Sequence, residues 1–355
     1  MGHETWDLIG HEETVRFLQA QIQRGTVGHA YLFTGPSGVG RRTLALRFAQ
    51  ALACAHPPHA GAYCGHCRVC RLYPQQAHPD LHVLHDPGGL KVETVRTVRP
   101  KLLLSPRDAR VRVVLLPNVE QATPAALNAL LKSLEEPPEH VVFLLTARSP
   151  EAILPTLASR CQEFPLRPVP YATLRDGLTA RGFPLAQAAW LAAWAQGRPG
   201  RALRWAQQPD DWRAYVAQIQ DGLQLLHAPL RERLAYAAPY RAADREAVQA
   251  RLATWQALWD LWLRLHQGLS DPRGHVAGGE IMRAVARQLT LNQVLQGLQH
   301  IQQGLRLLAR YGNPRLVLEG ALLTWPRLQG RAPDYARAVE QLIPAAAGHE
   351  PKPVP

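Results

Sequence analysis

Four of the five cysteines fall in one short stretch, Cys54, Cys64, Cys67 and Cys70, in the pattern C-x9-C-x2-C-x2-C. Two-residue gaps let neighbouring thiolates turn toward one ion, and four thiolates complete the tetrahedral shell of Zn²⁺. A disulfide framework is the rival reading, but a chain in a reducing compartment keeps its thiols free. Four protein ligands leave no open position for water, so the expected zinc is structural rather than catalytic. Cys161 stands apart and is given no metal role. The fifteen histidines show no comparable spacing, and His66, inside the cluster, reads as a bystander.

A second stretch, "GPSGVGRRT" (Gly35 to Thr43), almost spells a phosphate-binding loop. In G-x-x-x-x-G-K-[ST] the backbone amides cradle phosphates, the lysine reaches the β/γ-phosphates and the hydroxyl holds Mg²⁺. Gly35, Gly38 and Gly40 suit such a loop, but Arg41 stands at the lysine position and Arg42 at the hydroxyl position, with Thr43 one place late. The other half of such a site is an acidic strand end. The matching strand here is "VRVVLLPNVE", where Pro117 and Asn118 occupy the acidic positions and supply no carboxylate. Hydrolysis at this loop is therefore not expected. Anion binding stays open: loop amides and a helix N-terminus still attract phosphate, whereas the two arginines can fill that space themselves.

These residues need strands and helices to position them. "AYLFT" (30–34) is a short apolar strand running into the glycine loop, and Leu44, Phe48 and Leu52 follow at helical spacing. "LHVLH" (81–85), "VRVVLL" (111–116) and "VVFLLT" (141–146) are further strands. Between the last two, Thr123 can cap a helix with Pro124 in its first turn. Its buried stripe is Leu127, Leu130, Leu131 and Leu134, and Pro137 and Pro138 end it. Alternating strands and helices imply an α/β parallel sheet with ligands at the carboxyl ends of its strands. "FPLRPVP" (164–170) reads as a linker, and beyond it the pattern is helical, with stripes at Leu252, Trp255, Trp259, Trp262, Leu265 and at Leu291, Leu295, Leu298, Ile301, Leu305, Leu308. The tail 344–355 lacks material for a core and is expected to be disordered.

At 355 residues, 46% of them hydrophobic, two or three domains are expected. A net charge of +12 points to an acidic or phosphate-bearing partner, although an arginine habit is the bland alternative, since only Lys91, Lys101, Lys132 and Lys352 are lysines. The start "MGHETWDLIG" has acidic residues and no apolar core, so no signal peptide is expected, and Trp6 breaks the myristoylation pattern. No run approaches the length of a membrane span, and a cytoplasmic protein is expected.

"HAYLFTGPSGVGRRTLA", the four-cysteine insertion, "LNALLKSLEEPP", "SRC" (159–161) and "NPRLVLEGALL" (313–323) together resemble the AAA+ subunits of the bacterial DNA polymerase III clamp loader. The resemblance implies an AAA+ module over 1–165 with the zinc insertion at 54–70, a helical lid over 166–208 and a collar over 209–343. Two groups of the family share these motifs, the ATP-hydrolysing gamma/tau motor and delta-prime. The motor's sensor-1 threonine matches Arg148, and its sensor-2 arginine matches Gly200, with Arg201 one place off. These departures, with those of the loop, resemble delta-prime, so the loop reads as a remnant in which ATP binding is doubtful.

In the family the arginine of "SRC" reaches the ATP site of a neighbouring subunit, and Arg160 matches it. The implied partners are the gamma/tau and delta subunits and, within the complex, the β sliding clamp and primer–template DNA. Two other readings stand beside this one. An active motor would turn over ATP as an isolated chain. A stand-alone zinc-containing nucleic-acid-binding protein would bind DNA tightly and in a salt-sensitive way.

Overall fold

The computed structural model describes residues 6–343, so the tail 344–355 lies outside the described residues. The four apolar runs become strands: β1 Ala30–Thr34, β2 Leu81–Val83, β3 Arg112–Leu116 and β4 Val141–Ala147. A further strand, β5 Gln162–Pro165, has no apolar run to announce it, since only Phe164 of its four residues is buried. It lies at an edge of the sheet, where proline is tolerated. The reading of residues 164–170 as a linker is corrected at its start. Phe164 and Pro165 belong to β5, and the Leu166 N–H continues the sheet by donating to Thr34 O at 2.8 Å.

The strand order is β2-β3-β4-β1-β5, and every pairing is parallel. All residues of β1, β3 and β4 are buried, as expected when helices cover both faces of a parallel sheet. Alternation along β1 sends Tyr31 and Phe33 to one face, where they join Leu44, Phe48 and Leu52 of helix Arg41–Ala53. Ala30 and Leu32 face the other way and join Leu127, Leu130 and Leu134 of helix Pro124–Glu135. Thr123 caps that helix as expected, its hydroxyl accepting from Ala126 N–H at 3.3 Å, while Leu131 is only half-buried.

Just before β2, Asp80 is fully buried and accepts backbone N–H bonds from Arg107, Asp108 and Ala109 at 2.9 to 3.1 Å. Its other partner is Arg112, the first residue of β3, at 3.4 Å. One carboxylate thus gathers the 107–109 turn and the start of β3 beside β2.

Two compact units divide the described residues: 6–177 with Ala195–Arg201, and Leu178–Trp194 with 202–343. Helices Leu185–Ala195 and Pro199–Gln207 each run across this division. Among the described residues no strand follows β5, and no helix is long and apolar enough to cross a membrane.

In the second unit, helix Arg245–His266 buries Leu252, Trp255, Trp259 and Trp262, while Leu265 is half-buried. Helix Leu291–Ala309 departs from its expected stripe. The buried face is Val294, Gly297, Ile301, Gly304 and Leu308, whereas Leu291 and Leu295 are exposed. The two glycines explain the rotation. A Cβ on Gly297 would lie 2.4 Å from the Trp259 ring, and one on Gly304 would lie 3.1 Å from Val317, so close packing selects residues that an apolar pattern does not count.

Candidate functional site

The carboxyl ends of β1, β3 and β4 meet at the glycine loop. Gly35 N–H donates to Arg148 O at 3.1 Å, and Asn118 N–H donates to the Thr146 hydroxyl at 2.9 Å. Gly35, Gly38 and Gly40 have φ of 139°, 82° and 118°, left-handed conformations that a side chain would strain. Close approach adds to this at Gly35, where a Cβ would stand 2.4 Å from Leu166 O. The loop keeps its shape although its chemistry has changed.

Arg41, at the lysine position, is 7% exposed and donates from Nη2 to Asn118 Oδ1 at 3.2 Å. The position that would reach a phosphate and the position that would polarise the attacking water are bonded to each other. Burial lowers the Arg41 pKa; Glu120 opposes that shift and Arg148 adds to it. Arg42, at the hydroxyl position, turns away and donates to Gln76 Oε1 at 2.8 Å, while Thr43 is exposed on the first turn of the helix.

Two participants were not legible in the motif. Glu120, two residues beyond Asn118, has a carboxylate 3.4 Å from Arg148 Nε, so the sensor-1 position holds an ion pair. His11 lies on the other side of the loop, its Nε2 2.9 Å from Val39 O. Neither falls on a spacing that a phosphate-loop pattern specifies. At the sensor-2 position, Gly200 N–H donates to Gly38 O at 2.8 Å, and a Cβ there would lie 3.1 Å from the same oxygen. The main chain at Gly200 occupies a place where a longer side chain would have to leave the loop.

The four cysteines converge as their spacing implies. Their Sγ atoms all lie within 4.8 Å of one another, with 3.8 Å between Cys64 and Cys70 and 3.6 Å between Cys70 and Cys54. A Zn–S length of about 2.3 Å in a tetrahedron requires sulfurs about 3.8 Å apart, so the set fits that ion, and these separations are far above a disulfide bond of about 2.05 Å. Cys64 N–H donates to Cys54 Sγ, Cys67 N–H to Cys64 Sγ and Cys70 N–H to Cys67 Sγ, at 3.3 to 3.4 Å. Such bonds favour thiolates. Burial works against ionisation at Cys67, yet the N–H groups of Cys70 and Ala55 bring its pKa down to about 6. Burial pushes the Cys54 and Cys70 thiols up. Cys161 is outside the cluster, its thiol pushed up to about 12 by burial.

Helix Arg41–Ala53 links the two sites. It starts at the glycine loop, and Cys54 is its C-cap. From the same helix Gln50 donates to Cys70 O at 3.0 Å, and the buried Arg47 donates to Gln50 at 3.0 Å. His66 bonds only locally, its Nδ1 2.9 Å from Cys64 O.

Arg160 lies away from this site, in the turn after helix Pro155–Ala158. Its Nη2 donates to Glu135 Oε1 at 2.7 Å and its Nη1 to Thr156 O at 2.6 Å, with a third of the side chain exposed.

Residues 10–170 match the family model described as DNA polymerase III, delta subunit. The DNA polymerase III subunit delta' of Pseudomonas aeruginosa is 33% identical over 322 residues, which cover 86% of this chain and 94% of that one. The delta' subunit of Escherichia coli K12 is 33% identical over 303 residues, 81% of this chain and 86% of that one. The gamma/tau subunit of Mycobacterium bovis is 35% identical, but over 173 residues, which are 48% of this chain and only 29% of that longer protein. Likeness to delta' thus covers most of both chains, whereas likeness to gamma/tau covers about half of this chain and less than a third of that protein.

Proposed function

This chain belongs to the family of bacterial DNA polymerase III delta' subunits, and on that footing we propose that it is a scaffold of the clamp loader, helping to place the β sliding clamp on primer–template DNA. The observation that carries the non-hydrolysing half of this reading is the bond from Arg41 to Asn118. A motor subunit would use those two positions for phosphate and for the attacking water; here they satisfy each other. The loop is a remnant with no hydrolytic role.

The same reading gives Arg160 its function. In a ring of related subunits it would enter the ATP site of a neighbouring gamma/tau motor. There a planar guanidinium stabilises charge on the transferred phosphoryl group, an effect of roughly 10³–10⁵ in comparable enzymes. The other direct partner is the delta subunit. Residues 166–208 would act as a lid and 209–343 as the collar that joins subunits, and the setting is the cytoplasm.

Cys54, Cys64, Cys67 and Cys70 would hold one Zn²⁺. Bound there, the ion would cross-link the insertion to the end of helix Arg41–Ala53 and perform no chemistry, since four thiolates leave no place for water.

The test is assembly. Co-expressed with motor and delta subunits of its own organism, the tagged chain should purify in one complex that loads the clamp onto primed DNA. A chain that elutes alone would overturn the proposal. ATP turnover by the isolated chain would favour a motor instead.

A further inference from the structure

Glu135 closes helix Pro124–Glu135, and Arg160 follows 25 residues later, yet the two are joined by an ion-paired hydrogen bond between that helix and the "SRC" turn, 2.7 Å from Nη2 to Oε1. The second terminal nitrogen is tied to the main chain at Thr156 O, at 2.6 Å. A long side chain is therefore held at two points. The pair is not buried: the side chains are 34% and 48% exposed, and exposed ion pairs contribute little to stability. Fold stability does not explain the arrangement.

Donor arithmetic does. A guanidinium carries five N–H groups in a fixed plane. The two anchors use one on each terminal nitrogen, leaving three, among them Nε–H, for oxygens of another molecule. The anchors also remove rotamer freedom before any phosphate arrives, and preorganisation of this kind raises a rate without adding a contact. Glu136, next in sequence, does something different: its backbone N–H caps the helix at Lys132 O.

We propose that Glu135 is the positioning residue for Arg160, holding its guanidinium in one orientation for the phosphates of a neighbouring subunit. The proposal rests on the reading of Arg160 as an arginine acting in trans. Glu135 would act by geometry, through the oxygen that accepts from Nη2.

The experiment is a double-mutant cycle in the reconstituted loader, with subunit composition matched by gel filtration and DNA- and clamp-stimulated ATPase followed against ATP concentration. Glu135→Ala should lower kcat about two- to five-fold, the span expected for losing an exposed charged hydrogen bond. KM for ATP should barely move, because the contact matters in the transition state. Glu135→Gln keeps an accepting oxygen and should recover most of the rate, and Glu136→Ala should match wild type. Arg160→Ala should fall further, and adding Glu135→Ala to it should cost nothing more.

If Glu135→Ala fails to assemble, Glu135→Gln and Glu135→Asp carry the test: Gln near wild type with Asp slowed supports positioning, and any other order overturns it. A slow Arg160→Ala beside an unimpaired Glu135→Ala overturns the proposal while sparing the role of Arg160. So does a Glu135→Ala loss that persists in the Arg160→Ala background. An unimpaired Arg160→Ala removes the underlying reading and this one with it.

Discussion

The Arg41 guanidinium and the Asn118 carboxamide, 3.2 Å apart, join two positions that in an ATPase would serve the nucleotide phosphates and the attacking water. Restoring one side should therefore not restore hydrolysis. The purified chain is expected to show no ATP turnover, and so is the double variant Arg41→Lys with Arg42→Thr, because Pro117 and Asn118 still offer no carboxylate and Glu120 is engaged by Arg148. Steady-state phosphate release, checked against a preparation free of contaminating ATPase, reads the result. Turnover by the double variant would mean that Glu120 serves as the missing acid.

Metal analysis should find one zinc per chain. Single Cys→Ser changes at 54, 64, 67 or 70 should lower that content, and Cys161→Ser should not. Because structural zinc sites in small peptides contribute roughly 10–16 kcal/mol of apparent binding energy, loss of the ion should at least melt residues 54–70. Gln50 and Arg47 connect the cluster to the core helix, so protection from proteolysis should fall there next. A metal-free chain with native cysteines and unchanged folding would contradict the assignment.

Asp80→Ala should cost about 3–5 kcal/mol in chemical denaturation, since it strands the buried Arg112 charge and three backbone N–H groups. Burial alone would raise the Asp80 pKa, but the N–H bonds from Asp108, Arg107 and Ala109 and the Arg112 pair hold it below the usual carboxylate range. The sign follows. A depressed pKa in the folded state stabilises above the unfolded value of about 3.9, and that contribution is lost as pH falls through the folded value. The stability difference between wild type and Asp80→Ala should thus be constant near neutrality and shrink below about pH 4. A difference that grew on acidification would contradict this.

Much of the first unit was legible because its signals are local. The runs at β1, β3 and β4 are continuous and apolar since both sheet faces are covered, and Thr123 with Pro124 marks a helix start by side-chain chemistry alone. The cysteine cluster was legible for the same reason: three of its ligands lie within seven residues. What stayed hidden depends on distant partners. β5 is exposed at three of its four residues and gains its place by pairing with β1. The turn of helix Leu291–Ala309 follows from glycines that admit Trp259 and Val317. Glu120 and His11 carry no motif, and the motif that holds Glu135 says nothing of Arg160; each matters through a residue at least 25 positions away.

The most direct measurement compares clamp loading onto primed DNA by loaders of equal subunit composition that contain either the wild-type chain or Arg160→Ala. The variant should fold and join the complex, because one exposed ion pair contributes only about 0–1 kcal/mol. It should nevertheless slow both loading and the stimulated ATPase, although the proposal gives this chain no hydrolysis of its own, and Arg160→Lys should restore little without the planar fork. A slower loader of unchanged composition is the expected result. Equal loading and ATPase rates in the two complexes would contradict a trans-acting arginine and leave the chain as scaffold alone.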